Sequence, residues 1–151
     1  MRRAAVGKIV SIWIKRAHGG PMDGVVEAEM IAGRGLRGNA DQGGWRQVTI
    51  IDEGAWAEAQ LELGVEVDPS ARRANILLRG IDLEESRGKT LRLGDCRIHI
   101  LGETRPCHQM DHAYNGLRNV LRAPWRAGAF GEIVQGGTIH VDDPAEWSNE
   151  T

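Results

Sequence analysis

Short runs of apolar and β-branched residues recur along this chain, and each is closed within a few residues by glycine or aspartate. They occupy residues 5–14, 25–31, 46–51, 75–79, 90–93, 96–101, 130–134 and 138–141. Runs this short, bounded by turn formers, read as strands rather than helices. A strand buries its apolar face only against other elements, so many short strands imply a sheet that closes on itself or stacks on another. The expected fold class is mostly β with a few short helices, arranged as a barrel or sandwich.

Two segments break the pattern. In DEGAWAEAQLELG, Asp52 is placed to cap a helix, Trp56, Ala59, Gln60 and Leu63 share one face, and Gly64 closes it. A second helix is expected over 111–122, with Asp111 as its cap, Tyr114, Leu117 and Leu121 on one stripe, and Pro124 as its latest stop; Gly116 weakens it. No repeat or linker divides the chain, so a single domain over 1–151 is expected, with 142–151 as a polar tail from which Trp147 packs back onto the body. The role of the five tryptophans, core or interface, stays open, and with it the oligomeric state.

Composition excludes several classes. Acidic residues number 21 against 19 basic ones, a balance unlike that of a nucleic-acid binder. No apolar run has membrane-spanning length, and the first residues lack the apolar core and cleavage site of a secretion leader. Two cysteines, Cys96 and Cys107, make no disulfide framework and fit free thiols in a reducing cytoplasm. Three of the 19 basic residues are lysines (Lys8, Lys15, Lys89), which leaves 16 arginines, the side chain that grips phosphate or carboxylate with two donors.

Three stretches have chemical potential. In ETRPCHQM, Arg105 and His108 flank Cys107, and cationic neighbours favour the reactive thiolate; an inert buried cysteine is the equal alternative on local grounds. His108 and His112, four apart, would share a helix face, but with Cys107 they fall short of a recognisable zinc pattern. The glycine-rich segment 32–51 has Arg34, Arg37 and Arg46 and the backbone freedom of an anion-binding nest, although alone it reads first as a hairpin loop. It is not a nucleotide phosphate loop, since no Gly-Lys-Ser/Thr occurs. In PSARRANILLRGIDL, Arg72, Arg73 and Arg79 bracket a strand that starts near Asn75; solvated surface is the first reading and an anion clamp the second.

Taken in order, GRGLRGNADQGGWRQVTII, RRANILLRGIDL, GKTLRLGD, ETRPCHQM and GEIVQGGTIHVDD resemble the MOSC domain, found at the carboxyl end of molybdenum cofactor sulfurases, in amidoxime-reducing proteins and as stand-alone bacterial proteins. The resemblance covers about residues 7–141. It implies a MOSC-type β-barrel and binding of a molybdenum cofactor, a molybdopterin with a phosphate. It also implies that Cys107 is a molybdenum ligand or a carrier of sulfane sulfur, that Arg72, Arg73 and Asn75 meet the phosphate and pterin, and that Thr104 and Arg105 line the metal side. Soft thiolate chemistry suits both roles of the cysteine.

The expected function on that resemblance is an oxidoreductase that reduces N-hydroxylated small molecules, with electrons from a separate donor protein. The alternative is a sulfur-carrier or cofactor-delivery module with a persulfide on Cys107 and a separate sulfur donor. Neither nucleic acid nor membrane is an expected partner. Pyridoxal phosphate is a family association only, since no lysine is placed for it. Two departures stand out. Asn39 occupies the place of a family Asp in the glycine-rich loop, and Gln42 lies near the place of a His, so acid–base work by that pair is doubtful. A barrel that has lost its chemistry is the third reading.

Overall fold

Alternation with a period of two shapes the strands of this protein, whose computed structural model describes residues 7–148. In Cys96–Glu103 every second residue is buried, and in Gly7–Lys15 Ile12 and Ile14 point to one cluster while Trp13 points to another. In chain order, β1 (Gly7–Lys15), β2 (Met22–Val25), β3 (Glu27–Ile31), β4 (Gly35–Leu36) and β5 (Val48–Asp52) come first. Helix α1 (Glu53–Leu63) and a single 3-10 turn (Pro69–Arg72) lead to β6 (Ile76–Arg79), β7 (Thr90–Leu93) and β8 (Cys96–Glu103). Helices α2 (Gln109–Ala113) and α3 (Leu117–Val120) precede β9 (Ala129–Gln135), β10 (Gly137–His140) and β11 (Pro144–Trp147).

Seven strands close a barrel in the order β1, β11, β7, β8, β9, β5, β6 and back to β1, with β2 attached to β1 outside the ring. The strands of β3, β4 and β10 form a second, small sheet. Pairing is antiparallel except between β5 and β6, where Ile50 faces Ile76 in parallel register. A parallel pair needs a crossover, and α1 with the 3-10 turn supplies it. The lumen is filled by fully buried side chains such as Ile9, Ile12, Ile50, Ile76, Leu78, Leu91, Ile98 and Ile100. Each such side chain contributes roughly 1.5–3 kcal/mol on burial.

Helix α1 forms where its signals lie. Asp52 accepts from Ala55 N, Gly64 turns left-handed at φ 84, and Trp56 and Ala59 are buried against Met110, Leu117 and Leu121 of the α2–α3 region. The single helix expected over 111–122 is instead two short ones. Gly116 breaks it at φ 96, and Asp111 does not cap the start of α2 but accepts from Gly116 N and Arg118 N, which ties the break together. The run 25–31 divides at exposed Val26, because β2 stays with β1 while β3 pairs with β10. The expected polar tail is also corrected: Pro144–Trp147 is β11, which pairs with both β7 and β1 and closes the barrel. Trp147 does pack on the core, with Lys89 Nζ 5.6 Å from its ring centre. Residues 5–6 of the first expected strand and 149–151 lie outside the described residues.

Candidate functional site

Trp13, Ile51 and Leu77 form a cluster apart from the luminal core, on the outer wall of β1, β5 and β6. Alternation puts Lys15, Thr49 and Asn75, each two positions from one of these, on that same outer face. There a cavity of about 290 Å³ opens between the wall, the glycine-rich loop, the 3-10 turn and the segment that follows β8.

Arg72 ends the 3-10 turn, which Asp68 caps by accepting from Ser70 N and which Pro69 opens. Its side chain is 8% exposed, and Nε donates to Ala127 O at 2.7 Å. Thr104, 1% exposed, donates its hydroxyl to the same carbonyl at 2.8 Å. That carbonyl is held there by Gly128, at φ 112, where an added Cβ would stand 2.2 Å from Ile50 O. Burial lowers the guanidinium pKa to about 10; Cys107 opposes the shift and Arg46 adds to it. Arg73, left-handed at φ 64, donates a side-chain N–H to Gly20 O. Arg46 lies over the Phe130 ring at 5.0 Å. Among the described residues no ion pair joins Arg46, Arg72 or Arg73 to a carboxylate. A buried, unneutralised guanidinium at a cavity wall is an anion site by its chemistry.

Asn75 lines the cavity, but its amide is committed to the protein. Oδ1 accepts from Thr49 N at 3.1 Å, and Nδ2 donates to Trp13 O and to Asn39 Oδ1, both at 3.2 Å. Asn39 Oδ1 also accepts from Lys15 N at 2.8 Å, and Gln42 Nε2 donates to Leu36 O and Asn39 O. Of the two residues that depart from the family pattern, Asn39 thus ties the loop to β1 and to Asn75, while Gln42 ties the loop to itself and to β4. Asn39 does this with its side-chain oxygen as acceptor, whereas Gln42 uses an amide N–H, a donor that a carboxylate would lack.

Cys107 is exposed and lines the cavity. Its carbonyl accepts from Met110 N, while its thiol makes no hydrogen bond among the described residues. Cys96 is the opposite case, fully buried in β8 with its thiol pushed up to about 11 by burial and by Asp95 and Asp143. Arg105 is exposed and does not line the cavity. His108 and His112 stand edge to face, ring centres 5.9 Å apart, also outside the lining.

The structure thus brings together Cys107, Arg72, Arg73, Asn75 and Thr104, and leaves Arg105 apart. Sequence reasoning missed Lys15, Asp41, Thr49, Gln109 and the two methionines Met22 and Met110 as lining residues. Only a register argument, two positions from Trp13 and Ile51, would have pointed to Lys15 and Thr49. A larger cavity of about 720 Å³ opens at the exit ends of β5 and β6, where most of the lining charges are carboxylates and both arginines are already paired. Glu53 pairs with Arg79 at 2.8 Å, and Asp52 caps α1.

The MOSC domain model matches residues 15–146. No curated protein matches the chain. Among solved structures, the fold is similar to that of the YUAD protein from Bacillus subtilis, with 17% identity, 99% of this chain and 100% of that chain covered, and a TM-score of 0.82. It is also similar to YiiM from Escherichia coli, with 14% identity, 98% and 72% coverage, and a TM-score of 0.74. YiiM from Geobacillus stearothermophilus gives 16% identity, 95% and 75% coverage, and a TM-score of 0.73.

Proposed function

The chain belongs to the MOSC domain family, and from that premise we propose that it binds a molybdenum cofactor in the Cys107 cavity and reduces N-hydroxylated small molecules. The observation that carries the reading is one cavity lined by both an exposed free thiol and a buried guanidinium with no carboxylate partner among the described residues. The donor set fits the group: arginines for its phosphate and a soft sulfur for its metal. When bound, the cofactor supplies two-electron redox chemistry at its metal. Cys107 would be the protein's ligand to that metal. Arg72 and Arg73 would take the phosphate with forked donors. Asn75 would set the position of β1, β5 and the loop rather than touch the ligand, because its amide is already spent. Thr104 would likewise hold Arg72's carbonyl partner, Ala127 O, in place. Arg105, exposed beyond the lining, would meet a partner or solvent rather than the cofactor. Electrons would come from a separate flavin or iron–sulfur protein.

Elemental analysis of protein made in a host competent for the cofactor tests this. Near-stoichiometric molybdenum is expected in the wild type and its loss in Cys107→Ser; full metal retention by the variant removes Cys107 as ligand. Exposure of the thiol also favours a second reading, sulfur carriage, since a donor protein can reach it. After incubation with a cysteine desulfurase that reading requires a reducible adduct of about 32 Da on Cys107, one sulfur atom.

A further inference from the structure

The cavity's cations are Lys15, Arg46, Arg72 and Arg73, and its one carboxylate is Asp41. Lys15 Nζ stands 3.1 Å from Asp41 Oδ2, and His18 Nδ1 stands 3.0 Å from the same oxygen. The loop that holds Asp41 is stitched to the end of β1 that holds Lys15: Ala40 N donates to Lys15 O at 2.6 Å, and Lys15 N donates to Asn39 Oδ1. Asp41 itself sits at φ 61, in the left-handed region that side chains other than glycine enter at a cost and that Asp and Asn tolerate best. Backbone strain of this kind persists where the surroundings impose it, and it gathers at ligand clamps.

We propose that Asp41 is an internal stand-in for a ligand's phosphate: it holds Lys15 in the ligand-free protein and, retained by His18, releases that ammonium to a phosphate monoester that enters against Arg72 and Arg73. Among the described residues Arg46, Arg72 and Arg73 have no carboxylate partner, while Lys15 is the cavity's one cation held by a carboxylate. Its ammonium adds to the charge that faces a dianion only once Asp41 lets it go. His18 is largely exposed, so it can keep Asp41 after the exchange without any carboxylate being left bare in the cavity. Hydrogen bonds from His18 first and Lys15 second hold the Asp41 carboxyl below its usual value. The inference rests on the phosphate-binding half of the function proposed above and not on the metal.

Calorimetric titration of the metal-free protein with methyl phosphate tests it. Asp41→Asn keeps a side chain that accepts φ 61, and it frees Lys15; it binds about five-fold tighter than wild type, the effect of one exposed ion pair. Lys15→Met binds weaker by a similar factor. His18→Ala, which leaves Asp41 no partner but Lys15, also binds weaker. Asp41→Asn binding no tighter than wild type, or His18→Ala binding tighter, overturns the exchange. A response to orthophosphate with none to methyl phosphate overturns the monoester. If neither phosphate binds any of the four proteins, the phosphate half of the proposed function falls with it. Binding with the expected order, in a protein that never acquires molybdenum, upholds the exchange and sinks the metal alone.

Discussion

Replacing Arg72 by Met should make the ligand-free protein more stable while it disables the cavity. The guanidinium pKa falls from its ordinary value to about 10 because the group is buried. At about 1.4 kcal/mol for each tenfold, that is a burden of roughly 3 kcal/mol on the charged form. For a base with a lowered folded value, the burden is present in full below pH 10 and lifts only as pH climbs from there toward the higher unfolded value, so at pH 7 it is undiminished. Against the relief stands the lost hydrogen bond from Nε to Ala127 O, about 1 kcal/mol, softened because Thr104 still donates to that carbonyl. The balance is a gain of about 1–2 kcal/mol in urea unfolding at pH 7, or a rise in Tm of roughly 3–6 °C for a chain of this size. Methyl phosphate affinity should fall roughly 10- to 100-fold, the share of a charge-assisted pair. A variant less stable than wild type by about 1 kcal/mol or more would refute the reasoning. It would mean that Arg72 is there to tie the Ala127 segment to the 3-10 turn and not to wait for an anion.

Asn75→Ala tests the brace behind the cavity: it strips partners from Thr49 N, Trp13 O and Asn39 and should cost about 2–4 kcal/mol in urea unfolding, with a loss under about 1 kcal/mol counting against it. The two thiols should separate cleanly. At pH 8, iodoacetamide should add one label, on exposed Cys107, and none on Cys96, whose thiol is fully buried and needs pH near 11 to ionise. Mass spectrometry showing two labels on the folded protein would contradict the placement of Cys96.

Most strands were legible because each carried its own signal, alternation closed by a turn residue. Helix α1 was legible for the same reason, with Asp52, Trp56 and Gly64 all local. What failed was whatever depended on a distant partner. Pro144–Trp147 reads as polar because Pro144 and Glu146 are exposed; only Ala145, buried between β1 and β7, marks it as a strand, and one alanine is no pattern. Over 111–122 Leu117 and Leu121 are buried as the stripe predicts but Tyr114 is exposed, and Gly116 and the reach of Asp111 to Arg118 N decided against continuity. In the site, Cys107, Arg72 and Thr104 came from the order of motifs along the chain. Lys15 and Asp41 did not, because they meet only after the loop folds back on β1, 26 residues apart in number yet 3.1 Å apart in space. Arg105 was carried in by its neighbours and turned outward. Asn39 and Gln42 looked like losses in sequence and proved to be fasteners in structure.

The barrel is shut where its first strand meets its last. Among the described residues strand β1 meets β11 at Gly7 with Ala145 and at Lys8 with Pro144, and Ile9 adds two backbone hydrogen bonds to Asp142 and Asp143 in the turn before β11. Those two pairs join the beginning of the described chain to its end, so they form only after nearly everything between has been gathered in, and long-range pairings of this sort are slow to make. A junction between the two ends of a chain is also where fraying opens a cylinder. The wall that carries Lys15 is the other end of the same strand. Unfastening at Gly7 would thus loosen, from 8 residues away, the strand on which the cavity's exchangeable cation is mounted.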